Sequence, residues 1–222
     1  MILYVTRHAQ VCPALAVQGI DCPVEDFNIT ELGQNQAALL GQHLQKLGFS
    51  GQIYSSPFRR TLQTSQIVAD IIDTQINIAW QMREISAQAD TFLHFKGMAP
   101  QECADLAPRV TPGQSLPDPW WIVREESMDE VARRVSPFID EVLARGQDAL
   151  LVGHGASVEA SNRILLDKSG YKPYCSAPCI NCSLSAYEYC GGVVKPLELY
   201  DTTFIPLLQR SENIRMQMEW GV

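Results

Sequence analysis

The amino-acid sequence predicts an α/β protein with a mostly parallel central sheet and helices on both of its faces. Two observations lead there. Short runs with no polar face, such as Ile2-Leu3-Tyr4-Val5 and Ala149-Leu150-Leu151-Val152, read as strands buried on both sides of a parallel sheet. Between such runs lie segments with apolar residues at helical spacing, and alternation of the two kinds is the signature of strands joined by helical crossovers.

Taken in order, residues 2–6 form the first strand, and residues 11–28 have no period and contain Pro13, Gly19 and Pro23, as a loop does. Residues 30–47 read as a helix, with Ala37, Leu40, Leu44 and Leu47 on one face and Gly48 placed to end it. Residues 52–55 are a second strand. Ser56-Pro57 reads as an N-cap followed by proline in the first turn of a helix whose face is Phe58, Leu62, Ser65, Ala69 and Ile72. Residues 76–80 read as a third strand.

The pattern fails over residues 86–124, which hold Pro100, Pro108, Pro112, Pro117 and Pro119 and several aromatics; this stretch reads as an inserted lid with one short helix. Ser127-Met128-Asp129-Glu130 has the form of a capping box, opening a helix faced by Met128, Val131, Val135, Phe138 and Val142. Residues 149–152 are a strand and 156–166 a helix. Residues 183–189 and 193–200 are two last strands turning at Gly191-Gly192, and 207–220 read as a terminal helix. The whole chain, 1–222, reads as a single domain carrying the lid.

The totals narrow the function classes. A chain of 222 residues with 46% apolar composition can bury one sizeable core. A net charge of −8 argues against nucleic-acid or anionic-membrane partners. No apolar stretch approaches the roughly 20 residues needed to cross a bilayer, and no basic leader precedes an apolar run, so a cytoplasmic location is expected. Seven cysteines then read as free thiols. Cys175, Cys179 and Cys182, with Cys190 nearby, have an iron–sulfur-like spacing, but Cys182 stands at the entry to an alternating strand, which argues against a cluster or structural zinc.

The chemistry gathers at strand ends, where ligands bind in open α/β sheets. Arg7-His8 follows the first strand, and His154 follows the strand 149–152 inside Gly153-His154-Gly155. The segments VTRHAQ, YSSPFRRTLQTSQIVA, MREI and LLVGHGASVEA, in that order, resemble the signatures of the histidine phosphatase superfamily, also called phosphoglycerate mutase-like. QGID with ITELGQNQAALLGQHL, WWIVREESMDEVARRV and INCSLSAYEY extend the resemblance over most of the chain. It implies a three-layer α/β sandwich and a metal-independent phosphatase that hydrolyses small phosphomonoesters.

The same resemblance implies the roles. His8 is the expected nucleophile, its second nitrogen held by an acceptor such as a backbone carbonyl. Arg7 and Arg60 hold phosphoryl oxygens through permanently charged guanidiniums, with Arg59 left as a solvated charge. His154, protonated, donates to the same group, and Glu84 is the general acid and then base, with Asp90 or Glu102 as substitutes. Gln18 and Gly155 complete the phosphate-binding set. No metal or cofactor is implied, because cationic side chains offset the phosphoryl charge.

The chain departs from the pattern at Ala9, Gln10 and Ala14, where glycine, an acidic residue and asparagine are usual; the last removes a donor. Cys12, near His8, reads as an inert thiol. The lid offers Phe92, Phe95, Met98, Trp120 and Trp121, with His94, Lys96, Arg109 and Arg124 scattered among them. That composition suits an ester with an apolar part better than the carboxylate-bearing substrate of a mutase. Exposed aromatics near the lid would permit a homodimer. A mutase-type phosphoryl transfer and a non-catalytic phospho-ligand binder remain the competing readings.

Overall fold

The computed structural model describes residues 1–11, 26–88, 92–122, 124–171 and 179–211. Its centre is a six-stranded sheet of β1 (Ile2–Arg7), β2 (Gln52–Ser55), β3 (Ile76–Ile78), β4 (Ala149–Gly153), β5 (Leu184–Cys190) and β6 (Val193–Asp201), in the order β3-β2-β4-β1-β5-β6. The first four run parallel; β5 is antiparallel to both β1 and β6. Among the described residues five helices flank it: α1 (Glu31–Lys46), α2 (Arg59–Ile72), α3 (Pro100–Leu106), α4 (Met128–Arg145) and α5 (Gly155–Ser169).

Alternation along the central strands builds two cores. Tyr4, Leu150 and Val152 face the layer of α1 and α2, with Ala37, Leu40, Leu44, Leu62 and Val68. Leu3, Val5 and Leu151 face the layer of α4 and α5, with Val131, Val135, Ile139 and Leu165. Each such leucine or valine stabilises the fold by about 1.5–3 kcal/mol relative to exposure. This is the expected three-layer α/β sandwich.

The helix ends show where local reading succeeds. Thr30 caps α1 by accepting from Gly33 N at 3.0 Å, and Ser127 and Glu130 form the expected capping box of α4. The cap of α2 differs from expectation. The helix begins at Arg59, and its first N–H donates to the Asp26 carboxylate at 2.8 Å, while the Ser56 hydroxyl accepts from Phe58 N, before the helix, at 3.4 Å. A carboxylate at a helix N-terminus satisfies an orphan donor and suits the helix dipole, which Arg59 and Arg60 oppose. β3 ends at Ile78, and a 3-10 turn over Trp80–Met82 leads to Glu84. The expected terminal helix shows only a 3-10 turn at Leu207–Gln209; the rest of it lies outside the described residues.

The 86–124 stretch does contain one short helix, α3, and its Val110 bridges to Ile76 beside β3. Its aromatics do not lie exposed. Phe92, Phe95 and Trp120 are buried in one cluster with Phe58 from the turn before α2, with Trp80 and Trp121 packed against it. Edge-to-face, stacked and tilted contacts of 5.0–5.6 Å between Phe58 and these three rings explain why they turn inward.

Candidate active site

β1 and β4 are parallel neighbours with Arg7 opposite Gly153, so the residues that follow each strand, His8 and His154, emerge side by side. Their ring centroids are 5.2 Å apart. Gly153 leaves room for two side chains there. A Cβ on it would stand 2.5 Å from Ser157 Oγ and 2.8 Å from Met82 Cε. That hydroxyl accepts from His154 N at 2.9 Å and donates to Met82 O at 3.0 Å, tying the β4 end to the segment that carries Glu84.

The backbone of residues 8–10 is held at every polar group. His8 N donates to Gly153 O, and His8 O accepts from Asn181 Nδ2 at 2.7 Å. Ala9 N donates to Thr64 Oγ1, whose hydroxyl donates to Arg60 O. Gln10 N donates to Gln36 Oε1, and Gln10 O accepts from Thr30 N. Gln36 in turn donates to Gln209 O and Ser211 Oγ, and Ser211 donates to Asn181 Oδ1. Ala9 O accepts from His8 Nδ1 at 2.7 Å, so Nδ1 carries the proton and Nε2 the lone pair. Burial, then Arg60 and Arg7, push His8 well below its ordinary value, so the ring is neutral at pH 7.

Glu84 sits between Arg60 and His154. Its Oε2 lies 3.4 Å from Arg60 Nη2 and 3.5 Å from His154 Nδ1, and Oε1 accepts from Ile85 N. One ligand atom each from His8, Glu84 and His154 lie within 4.8 Å of one another. By distance that trio could hold a metal ion. Its flanking guanidiniums instead favour an anion, because two fixed positive charges in a buried site repel a cation.

Three nitrogens of the site make no hydrogen bond among the described residues: Arg7 Nε, Arg60 Nη1 and His154 Nδ1, all of them buried. Arg7 is oriented by donating from Nη1 to Cys179 O at 2.7 Å, not by a carboxylate. Arg60 is buried at the start of α2, its guanidinium 4.6 Å over the Phe58 ring and 3.7 Å from Asp26. Gly155 opens α5 directly after His154, and a Cβ there would meet nothing within 4 Å.

Several expectations need correction. His154 was expected protonated. Burial, then Arg60, His8, Arg7 and Arg134, hold it well below its ordinary value, so the protein's own groups keep it neutral. A phosphate dianion at Nδ1 would supply the opposite field. Arg59 is half-buried, with Nε unpartnered among the described residues, rather than a solvated charge. Glu102 is spent on capping α3 through Ala99 N and is no substitute for Glu84. Gln18, Ala14, Cys12, Asp90 and Cys175 lie outside the described residues. Cys182 is buried and Cys190 lies exposed at the far end of β5, roughly 20 Å away at 3.4 Å per strand residue, so these two cannot share one metal.

Sequence reasoning missed Asp26, Ser56, Ser157 and Asn181. Ser56 Oγ lies 2.9 Å from His154 Nε2, which directs Nδ1 toward Glu84. Asp26 is 2% exposed, and burial raises its carboxyl to about 6 against the pull of Arg60. Each lies in a signature or loop already noted, but none is picked out by residue type.

The profile of the histidine phosphatase superfamily (branch 1) matches residues 3–202. The chain belongs to the histidine phosphatase superfamily. A Hydrogenobacter thermophilus protein named "Putative phosphoserine phosphatase 2" is 31% identical over 159 residues, 71% of this chain and 75% of that one. A Yersinia enterocolitica protein named "Probable phosphoglycerate mutase GpmB" is 28% identical over 170 residues, 74% of each. The crystal structure of an ecdysone phosphate phosphatase from Bombix mori, in complex with tungstate, superposes with a TM-score of 0.70 at 18% identity, covering 97% of this chain and 98% of that one; this likeness shows the shared fold. As a histidine phosphatase superfamily member with such relatives, the protein is an enzyme that acts on phosphate esters. No helix among its described residues is long and apolar enough to cross a membrane.

Proposed function

We propose that this histidine phosphatase superfamily member hydrolyses small phosphomonoesters through a phosphohistidine on His8. The observation that carries the reading is the set of buried nitrogens on Arg7, Arg60 and His154 that make no hydrogen bond among the described residues, around a neutral His8 whose Nδ1 is already bonded. Nε2 attacks phosphorus and the ester P–O bond breaks. The Glu84 carboxyl gives its proton to the departing alkoxide. The guanidiniums of Arg7 and Arg60, with His154 Nδ1–H, bind the three equatorial oxygens. Water then attacks phosphorus, Glu84 takes its proton, and the P–N bond breaks to release inorganic phosphate. A general acid so placed contributes about 10²–10⁴ in rate.

The lid supports hydrolysis over mutase transfer. Arg109 is bound to Asp70 and Asp73, and Arg124 to Glu130, so neither is directed at a substrate carboxylate. Labelled substrate, quenched rapidly without acid, should give an acid-labile adduct on His8 that His8→Ala abolishes. Equal phosphate release by wild type and His8→Ala would refute the reading. Isomerisation of 3-phosphoglycerate in the presence of a bisphosphate primer, without phosphate release, would replace it with the mutase.

A further inference from the structure

An open surface cavity, of about 360 Å³, lies at the N-terminal end of α4 and takes no part in the chemistry above. Arg83, Arg124, Arg133 and Arg134 line it, with Glu126 and Glu130. Four guanidiniums against two carboxylates leave two positive charges uncompensated. Glu126, 4% exposed, is shared by two of them: it accepts from Arg83 Nη2 at 2.8 Å and from Arg134 Nε and Nη2 at 2.9 and 3.0 Å. Arg124 pairs with Glu130 at 2.7 Å. Among the described residues Arg133, on the exposed rim, forms no ion pair, and its Nε donates to the Asp129 carbonyl.

Arg83 is the unusual member. It is 7% exposed, yet its Nε and Nη1 have no hydrogen-bond partner among the described residues. A buried guanidinium with two unmade hydrogen bonds is costly unless something completes it. Its face is set by Trp80, 5.6 Å from the guanidinium carbon, which forms one wall of the cavity. Burial and the neighbouring Arg134 lower Arg83 to about 10, still fully charged at neutral pH.

We propose that this cavity is a binding site for a small oxyanion carrying two negative charges, distinct from the catalytic pocket. Planar forks from several directions suit phosphate-type oxygens, which can each accept two hydrogen bonds. The site is also joined to the candidate general acid. Arg83 directly precedes Glu84, whose carboxylate instead lies at Arg60 and His154. Arg134 donates to the carbonyls of Gln81 and Arg83, and Glu126 N donates to Ser86 O. An anion drawing on Arg83 and Arg134 therefore pulls on both sides of the segment that aims Glu84.

The test is calorimetric titration with inorganic phosphate at constant ionic strength and pH 7.5. Wild type should bind two phosphates per chain. Arg60→Ala should keep one, and adding Arg133→Glu should weaken that one more than fivefold. Arg133→Glu in the otherwise unaltered chain, an exposed change that the fold tolerates, should take the stoichiometry from two to one. No phosphate binding in Arg60→Ala, or residual binding there that Arg133→Glu leaves within fivefold, would overturn the proposal. Because Arg60→Ala reports the catalytic pocket and Arg133→Glu the surface cavity, failure of one reading is distinguishable from failure of the other.

Discussion

Gly33→Ala places one methyl group in the first turn of α1. On propensity alone the change should help, because alanine in a helix interior is favoured over glycine by about 0.8–1.0 kcal/mol. Here the new Cβ would lie 2.4 Å from the backbone oxygen of Gln10 and 3.2 Å from its nitrogen. Contact between carbon and oxygen normally needs over 3 Å, and the obstacle is main chain that cannot rotate away. Relief requires α1 and the 8–10 loop to part, which strains the Gln10–Thr30 and Gln10–Gln36 hydrogen bonds. Overpacking of this kind costs about 1–3 kcal/mol. For a chain of this size that is a fall of roughly 2–12 °C in Tm, at about 2–4 °C per kcal/mol. The displaced loop also carries His8, so kcat should fall at least tenfold. Thermal unfolding by circular dichroism and steady-state phosphate release measure the two effects. Gly155→Ala is the control, since its Cβ meets nothing within 4 Å and should leave Tm unchanged or higher. A Gly33→Ala protein as stable and as active as wild type would refute the claim that α1 buttresses the nucleophile loop.

Three more expectations follow from the same geometry. The Asp26 carboxyl is raised to about 6 from 3.8, so the folded state binds the proton that the unfolded state has lost, and this group's contribution to stability falls as pH rises from about 4 through 6. Asp26→Asn, which keeps an acceptor for Arg59 N, should therefore be more stable than wild type at pH 7.5 by up to about 3 kcal/mol, at 1.36 kcal/mol per unit. The gap should close by pH 4 in denaturant titrations; a gap that is constant with pH would show that burial is not the cause. Asn181→Leu leaves the buried His8 carbonyl without its donor, at about 1–3 kcal/mol in stability. Its kcat should drop at least tenfold with a smaller change in KM, and kcat within twofold of wild type would remove Asn181 from any positioning role. Ser56→Ala should lower kcat about tenfold, with at most about 1.5 kcal/mol lost in stability. Full activity in steady-state assays would show that the hydroxyl does not orient His154.

The expected strands and helices recur in the structure because their signals are local. Residues such as Leu3 and Leu150, or Leu40 and Leu44, take their positions from periodicity, and Thr30 and Ser127 cap the helices they precede. The misreadings share a cause: a local cue overridden by a distant partner. Ser56 reads as a cap until His154, 98 residues away, claims its hydroxyl, and Asp26 supplies the cap from 33 residues upstream. The lid aromatics read as exposed until Phe58 is seen to gather them. Asn181 reaches His8 O across 173 residues, a contact that no spacing announces.

The chain's linear order is enough to place an arginine–histidine pair and a second histidine at the ends of two apolar strands, because burial on both faces and helical periodicity are properties of short segments. What it does not contain is that β4 inserts between β1 and β2, since strand order depends on how whole helical layers pack against both faces of the sheet. That insertion sets two imidazoles 5.2 Å apart, buries Arg60 beside them and makes His154 neutral in the field of its neighbours. Proximity and charge state are products of the assembled sheet, because desolvation and Coulomb interactions act across space rather than along the chain.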